Sequence, residues 1–270
     1  MPQARGREIS REPDNILEEA RALIAKGAKE IWLLGQNVNA YRADDTRFIG
    51  LLDAVSQLDV RRIRFTSPHP RDWDDALSDL MAARPNICNY LHLPLQSGAD
   101  RVLEKMNRRH TIAEYLDKVR YMKRVNPSIE ISTDLIVGFP TETDAEFEDT
   151  LRVMEEVRFS QVFSFKYSPR PGTRAADWPD DVPRAVKEER LARLIAVQDG
   201  INAEQMACYI GTEQEILIDG THPKHKNVWS GRTDGYRPVS VTAEGLAVGQ
   251  IVSARIDGVQ GHWLAGELKA

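Results

Sequence analysis

Cysteine is almost missing from this chain. Cys88 and Cys208 are the only two in 270 residues. That excludes a disulfide framework, and the two lie in no metal-spaced pair. Both read as small apolar fillers, Cys88 just before a buried strand and Cys208 at the end of a helical stretch. No apolar run approaches the length of a membrane span. Residues 1–15 are charged and polar, so no secretory signal is expected and the cytoplasm is the expected location. An excess of positive charge is missing too. The net charge of −5 excludes a protein that is basic all over, though not a local basic patch. His69, His92 and His110 stand isolated, with no compact histidine–carboxylate pattern around them. A conventional barrel enzyme working by acids and bases therefore has no visible machinery. No catalytic side chain and no metal-ligand set is assigned.

What is present is a regular alternation. At 270 residues with 41% apolar side chains, the chain can bury a substantial core as one domain plus a small second one. Residues 1–11 contain no strand. A helix is expected from about Asp14 to Lys26, with Ile16, Leu17, Ala20, Leu23 and Ile24 on one face and Gly27 as its stop. Strands and helices then alternate to about Tyr167, with helices near 48–58, 72–83, 100–107, 111–124 and 144–157. Parallel strands joined in this way need right-handed crossovers.

Five strands end in the same manner. Ile31–Leu34 runs into Gly35-Gln36-Asn37-Val38-Asn39, and Arg62–Thr66 into Ser67-Pro68-His69-Pro70. Leu91, Leu93 and Leu95 alternate in Tyr90–Leu95, Pro94 stops regular pairing, and Gln96-Ser97-Gly98 follow. Leu135-Ile136-Val137, with Asp134 before them, lead to Gly138-Phe139-Pro140, and Gln161–Tyr167 leads to Ser168-Pro169-Arg170-Pro171-Gly172. In a parallel α/β barrel this C-terminal rim is where ligands bind. Gly98 would let the backbone approach a ligand closely. Any one such stretch is equally an ordinary strand-to-helix turn; the repetition is what carries weight.

Two further segments complete the chain. After Trp178-Pro179-Asp180-Asp181-Val182-Pro183, a long helix is expected from Arg184 to Ala207, with Leu191, Leu194, Ile195 and Ile201 as a core-facing stripe. From Gly211 the period changes to two. Five short strands punctuated by glycine point to a small closed or OB-like barrel. Lys224, Lys226, Arg232 and Arg237 cluster there with Trp229 and Tyr236 among them. Cations with aromatics suit loop or single-stranded RNA, and a polar hairpin with two core aromatics reads the same residues equally well. Residues 101–124 carry eight cations against three carboxylates. That is ordinarily a solvated helix face, with phosphate contact as the alternative.

His92-Leu93-Pro94-Leu95-Gln96-Ser97-Gly98, Met106-Asn107-Arg108, Asp134–Thr143 and Phe163–Thr173 together resemble the tRNA methylthiotransferases, a radical S-adenosylmethionine family. Leu34–Tyr41 is similar to the MiaB branch, which modifies an adenosine beside the tRNA anticodon, more than to the branch that modifies a ribosomal protein. The likeness runs from about Arg5 to the C-terminus. Two departures stand out: Ala99 where serine is usual, and Thr141 where glycine is usual.

The resemblance implies an α/β fold. An incomplete radical S-adenosylmethionine (β/α) partial barrel lacking its first strand would span 1–207, followed by an all-β TRAM barrel over 208–270. It implies methylthiolation of C2 of N6-isopentenyladenosine in tRNA. An aromatic C–H bond is too inert for acid–base attack, so a cofactor-derived 5′-deoxyadenosyl radical does the hard step. Gly35, Gln36 and Asn37 would lie near the amino-acid part of S-adenosylmethionine. Gln96 and Ser97 would lie near its ribose, and Asp134, Ile136, Val137 and Gly138 near ribose or adenine. Lys224, Lys226, Trp229, Arg232 and Arg237 would contact RNA. The family's CxxxCxxC motif, whose cysteines hold a 4Fe-4S cluster, would fall just before Arg5 and is absent, as is an N-terminal domain with a second cluster. The chain thus reads as a fragment, inactive alone, of an enzyme whose partners are tRNA, S-adenosylmethionine and a flavodoxin-type reductant. It is expected to be a monomer with no membrane association. The alternative is a non-catalytic tRNA-binding module.

Overall fold

The computed structural model describes residues 9–221, 225 and 227–268. They fall into two compact units, Met1–Cys88 and Asn89–Ala270. No helix among the described residues is long and apolar enough to cross a membrane.

The first unit opens on helix α1, Pro13–Ala25, with proline at its start and Asp14 in its first turn. Gly27 takes φ +96° just beyond it. Ala20 is buried, whereas Leu23, expected on the same face, is 42% exposed. The packing row is Ile16–Ala20–Ile24, spaced by four, and Leu23 stands off it. Strand β1, Glu30–Leu33, pairs in parallel with β4, Arg62–Phe65, placing Trp32 beside Arg64 and Leu33 beside Phe65. Between them lie β2, Arg42–Ala43, and β3, Thr46–Arg47, a short hairpin absent from the expected elements. Strands this short carry no readable period, and the turn rests on Asp44 at φ 47°. Helices α2, Phe48–Ser56, and α3, Asp75–Ala83, complete the unit. Its core is Phe48, Leu52, Val55, Ile63, Phe65, Trp73 and Met81, with Cys88 buried as expected.

In the second unit β5, Tyr90–His92, β6, Glu130–Val137, and β7, Gln161–Lys166, form a parallel sheet in that order. Helix α4 is Asp100–Lys105. Helices α5, Ile112–Val125, and α6, Asp144–Val157, each begin with a complete capping box, Thr111 with Glu114 and Thr143 with Glu146. Along β6, Ile131, Leu135 and Val137 are buried, while Asp134 and Ile136 on the other face are half-buried. Helix α7, Arg184–Ala207, has its expected bounds but not its expected face. Its buried row is Lys187, Arg190, Leu194, Gln198, Ile201 and Met206, and Ile195 is 43% exposed. Polar residues occupy this row because each finds a partner: Lys187 pairs with Asp180, Arg190 with Glu142 and Asp144, and Gln198 donates to the Phe159 carbonyl at 2.9 Å.

The chain ends in a closed barrel of β8, Glu213–Thr221, β9, Val228–Arg232, β10, Pro238–Thr242, β11, Ile251–Gln260, and β12, Trp263–Leu268. The order is β10-β12-β11-β8-β9, closed by the antiparallel β9–β10 pair. Ile216, Ile218, Val239, Val241, Ala254, Ile256 and Leu264 fill it, and Met206 from the last turn of α7 packs among them. Cys208, read above as a filler, is exposed where α7 ends.

Candidate functional site

The two units supply separate strand ends. In the first, Gly35, Gln36 and Asn37 follow β1 and lie at or near the surface. Asn37 donates its amide to Asp72 at 2.8 Å, and Asn39 exchanges two hydrogen bonds with the His69 backbone at 2.7 and 3.0 Å. The loops after β1 and β4 are therefore tied to each other. Arg71 forks onto Asp72 at 2.8 and 2.7 Å and holds its carboxyl below the usual range. His69 is not isolated; its Nδ1 accepts from the Arg71 N–H at 3.1 Å.

In the second unit Pro94 ends regular pairing, as expected, but the ladder resumes beyond it. The Thr133 hydroxyl takes the Leu95 N–H at 2.9 Å. The Gln96 N–H then reaches the Asp134 carbonyl at 2.8 Å, and Ile136 N–H the Gln96 carbonyl at 2.9 Å. Gln96 holds φ 77°, a left-handed conformation uncommon outside glycine. Asp134 lies 3.4 Å from His92 Nε2 and 3.5 Å from the Gln96 amide. Ser132 Oγ links Tyr90 at 2.8 Å and His92 Nδ1 at 2.9 Å. His92 thus belongs to a histidine–carboxylate cluster that the sequence had not revealed. Its members come from two strands and meet only through the register that sets His92 beside Ser132.

Three expected ligand contacts differ. Ser97 is fully buried, and its hydroxyl accepts from the Ala99 N–H at 3.3 Å. Val137 is fully buried on the helix-covered face, with its carbonyl taken by the Tyr167 N–H at 2.9 Å. A Cβ at Gly98 would stand 2.4 Å from Thr150 Cα, so its close approach is to helix α6 rather than to a ligand. What remains open is the face formed by Asp134 and Ile136, flanked in register by Phe163 and Phe165, which are 39% and 51% exposed. Phe163 meets the His92 ring edge-on at 5.6 Å. An aromatic, apolar wall beside a carboxylate suits a nucleoside, with its ring on the wall and its hydroxyls at the polar end. Arg108 is half-buried; burial pushes its guanidinium down and Asp134 supports it.

The basic stretch 101–124 mostly serves its own unit. Arg101 forks onto Glu146 at 2.6 Å and holds its carboxyl at about 2. Arg120 pairs with Asp117 and Glu156, Lys123 donates to the Val157 carbonyl, and Arg124 covers the Tyr121 ring. Phosphate contact by this stretch gains no support.

In the terminal barrel Lys224 and Lys226 lie outside the described residues. Trp229 is half-buried on the barrel core and donates to the Ala243 carbonyl at 3.1 Å. Arg232 sits over the Tyr236 ring at 4.8 Å and 3.4 Å from Asp219. Arg237 does not fit an RNA contact. It is 6% exposed, and its guanidinium donates to both Glu130 oxygens at 3.2 and 2.8 Å, the Ser160 carbonyl at 2.9 Å and Gln205 at 2.6 Å. Tyr209 adds a 2.7 Å bond to Glu130, the Asn89 N–H reaches Asp234 at 2.8 Å, and Tyr236 packs on Tyr90 at 4.9 Å. Apart from Gln205, in the last turns of α7, these partners sit at the N-terminal ends of β5, β6 and β7. The barrel therefore docks at the end of the sheet opposite Gly138, roughly 26 Å away along β6 at about 3.3 Å per residue.

Neither cysteine fits an iron–sulfur cluster: Cys88 is buried, Cys208 is exposed, and three or four thiolates are normally needed. Among the described residues no three His, Cys, Asp or Glu side chains are grouped to hold a metal.

Comparison with known proteins agrees with these features. Residues 1–154 match the Radical SAM superfamily, and residues 208–269 match the TRAM domain. A tRNA-2-methylthio-N(6)-dimethylallyladenosine synthase of Anoxybacillus flavithermus is 44% identical over 99% of this chain and 52% of its own length. The one of Coxiella burnetii is also 44% identical over 99% of this chain, and 62% of its own. The chain thus spans about half to three-fifths of the curated relatives it matches. Coproporphyrinogen III oxidase from Escherichia coli, described as a radical SAM enzyme, shares the fold at TM-score 0.54 and 16% identity, over 91% of this chain and 60% of that one. With an open, nucleoside-suited rim on a parallel sheet and a closed five-stranded barrel behind it, the chain belongs to the radical SAM superfamily and carries a C-terminal TRAM domain.

Proposed function

We propose that this chain is the S-adenosylmethionine-binding and TRAM part of a tRNA methylthiotransferase acting at C2 of N6-isopentenyladenosine next to the anticodon. The observation that carries the reading is 44% identity over 99% of the chain to enzymes named for that reaction. In this reading 1–207 is the cofactor-binding segment and 208–270 contacts tRNA. Asp134, with His92 and Gln96 beside it, takes the cofactor's ribose hydroxyls. Ile136 and the turn at Gly138 flank its adenine. Bound S-adenosylmethionine supplies the radical that activates an inert C–H bond, while the protein orients both partners and keeps water from the apolar wall. The cluster ligands are not among the chain's residues. A flavodoxin-type reductant, a monomeric state and a cytoplasmic location complete the reading. The two-cysteine composition favours one second reading, a tRNA-binding module without chemistry.

Titration of S-adenosylmethionine into the isotopically labelled chain tests the cofactor site. Amides of Gln96, Asp134, Ile136 and Gly138 should shift while those of β8–β12 stay in place. Shifts confined to other segments, or none at millimolar cofactor, would overturn the assignment.

A further inference from the structure

The turn after β6 is held from behind by residues that belong to helix α7. Gly138 leaves the strand at φ +70°, and its N–H donates to the Glu142 carboxylate at 2.6 Å. A Cβ at 138 would lie 2.3 Å from Lys187 Cγ, so the stem of Lys187 fills the space under the turn. The Lys187 ammonium is drawn away to Asp180 at 2.5 Å and over the Tyr167 ring at 5.2 Å. Glu142 is itself buried, its side chain 1% exposed, and Arg190 Nη1 donates to its carboxylate at 2.7 Å and its carbonyl at 3.2 Å. The other arm of Arg190 reaches Asp144, in the first turn of α6, at 2.6 Å. Just before α7, Asp181 accepts the Thr141 N–H at 2.7 Å.

We infer that Arg190, with Lys187 beneath it, is a positioning residue for the cofactor rim. Through Glu142 it fixes the left-handed turn at Gly138 and so the end of β6 that carries Asp134 and Ile136. The inference rests on the proposed cofactor reading of that rim. The chemistry requires arginine. A buried carboxylate that already accepts one N–H needs a charged partner, and a planar fork reaches Glu142 and Asp144 together where an ammonium reaches one. Burial pushes the Glu142 carboxyl up, and the Gly138 N–H and Arg190 oppose that push. Removal of the guanidinium would therefore release the bond to Gly138 as well as the ion pair.

Hydrogen exchange of the Gly138 amide, with the S-adenosylmethionine dissociation constant, decides the matter across Arg190→Leu, Arg190→Lys and Gln198→Leu. Gln198 is the control because it is buried on the same helix yet, among the described residues, bonds Phe159 and Asn202 and not the turn. Arg190→Leu should speed Gly138 exchange and weaken cofactor binding, each about tenfold, the scale of a lost charge-assisted hydrogen bond. Arg190→Lys should recover part of both, and Gln198→Leu should change neither. Equal effects in Arg190→Leu and Gln198→Leu, or unchanged exchange at Gly138, would overturn the inference. Faster exchange with unchanged affinity would also overturn it as a cofactor effect. If the parent chain binds no S-adenosylmethionine, the cofactor reading fails instead, and the exchange data still show whether Arg190 holds the turn. Should Arg190→Leu not fold, Glu142→Gln, which keeps the shape and removes the charge, carries the same expectations.

Discussion

Thr141 is a β-branched residue at φ 70°, at the position where the family resemblance implied glycine. Left-handed backbone costs an L-residue roughly 1–2 kcal/mol. The surrounding side chains offset that cost. Arg101 donates to its hydroxyl at 3.1 Å and its carbonyl at 2.6 Å, Lys105 to its hydroxyl at 2.6 Å, and Asp181 accepts its N–H. Thr141→Gly should relieve the backbone and lose the hydroxyl, leaving stability within about 1 kcal/mol of the parent. Thr141→Ala keeps the strain and loses the hydroxyl bonds, so it should be the less stable of the two by about 1 kcal/mol. Urea denaturation measures the order, and an alanine variant as stable as the glycine one contradicts this account. The departure at 141 was visible in the sequence. Its compensation was not, because the three partners lie about 36 to 40 residues away and meet it only in the fold. The contact of Asp134 with His92 stayed hidden for the same reason: strand register, not local spacing, creates it.

At the scale of elements, boundaries were legible and faces less so. Helix α7 occupies the expected 184–207 because Pro183 precedes it and apolar residues recur at helical spacing. Its inward face is misread when only apolar residues are counted, since Arg190 and Gln198 are buried by virtue of distant partners and Lys187 by its ion pair with Asp180 just before the helix. The five strands of the barrel follow from period two and glycine punctuation. The β2–β3 hairpin is too short to leave such a trace. Arg237 shows the limit most clearly. Composition groups it with surface cations, but the fold uses it to join the barrel to the ends of β6 and β7. Arg237→Leu should destabilise the chain by about 3 kcal/mol, because Glu130 would keep its burial and lose its charged partner. Arg237→Lys should recover only part of the loss. Chemical denaturation gives the figure, and a change under about 0.5 kcal/mol would place Arg237 at the surface after all.

For the whole molecule, fold class and family were readable from strand-end motifs that no single element explains. The division into units at residue 88 was not, because the helix–strand alternation continues across it without a break. What the architecture separates matters for function. Within the second unit the TRAM barrel is anchored at one end of the sheet, and the nucleoside-suited rim lies at the other. A substrate held by the barrel would have to present its base around the sheet, which suits a folded RNA reaching with one loop. The most direct measurement joins this chain in frame to an added upstream segment carrying a CxxxCxxC motif. The reduced protein is given S-adenosylmethionine and tRNA containing N6-isopentenyladenosine, and the digested nucleosides are analysed by mass spectrometry. The account predicts a 2-methylthio derivative of that nucleoside, abolished by Asp134→Ala and Gly138→Ala. Unchanged nucleosides from a folded, cluster-loaded protein, or product that survives both substitutions, would contradict it.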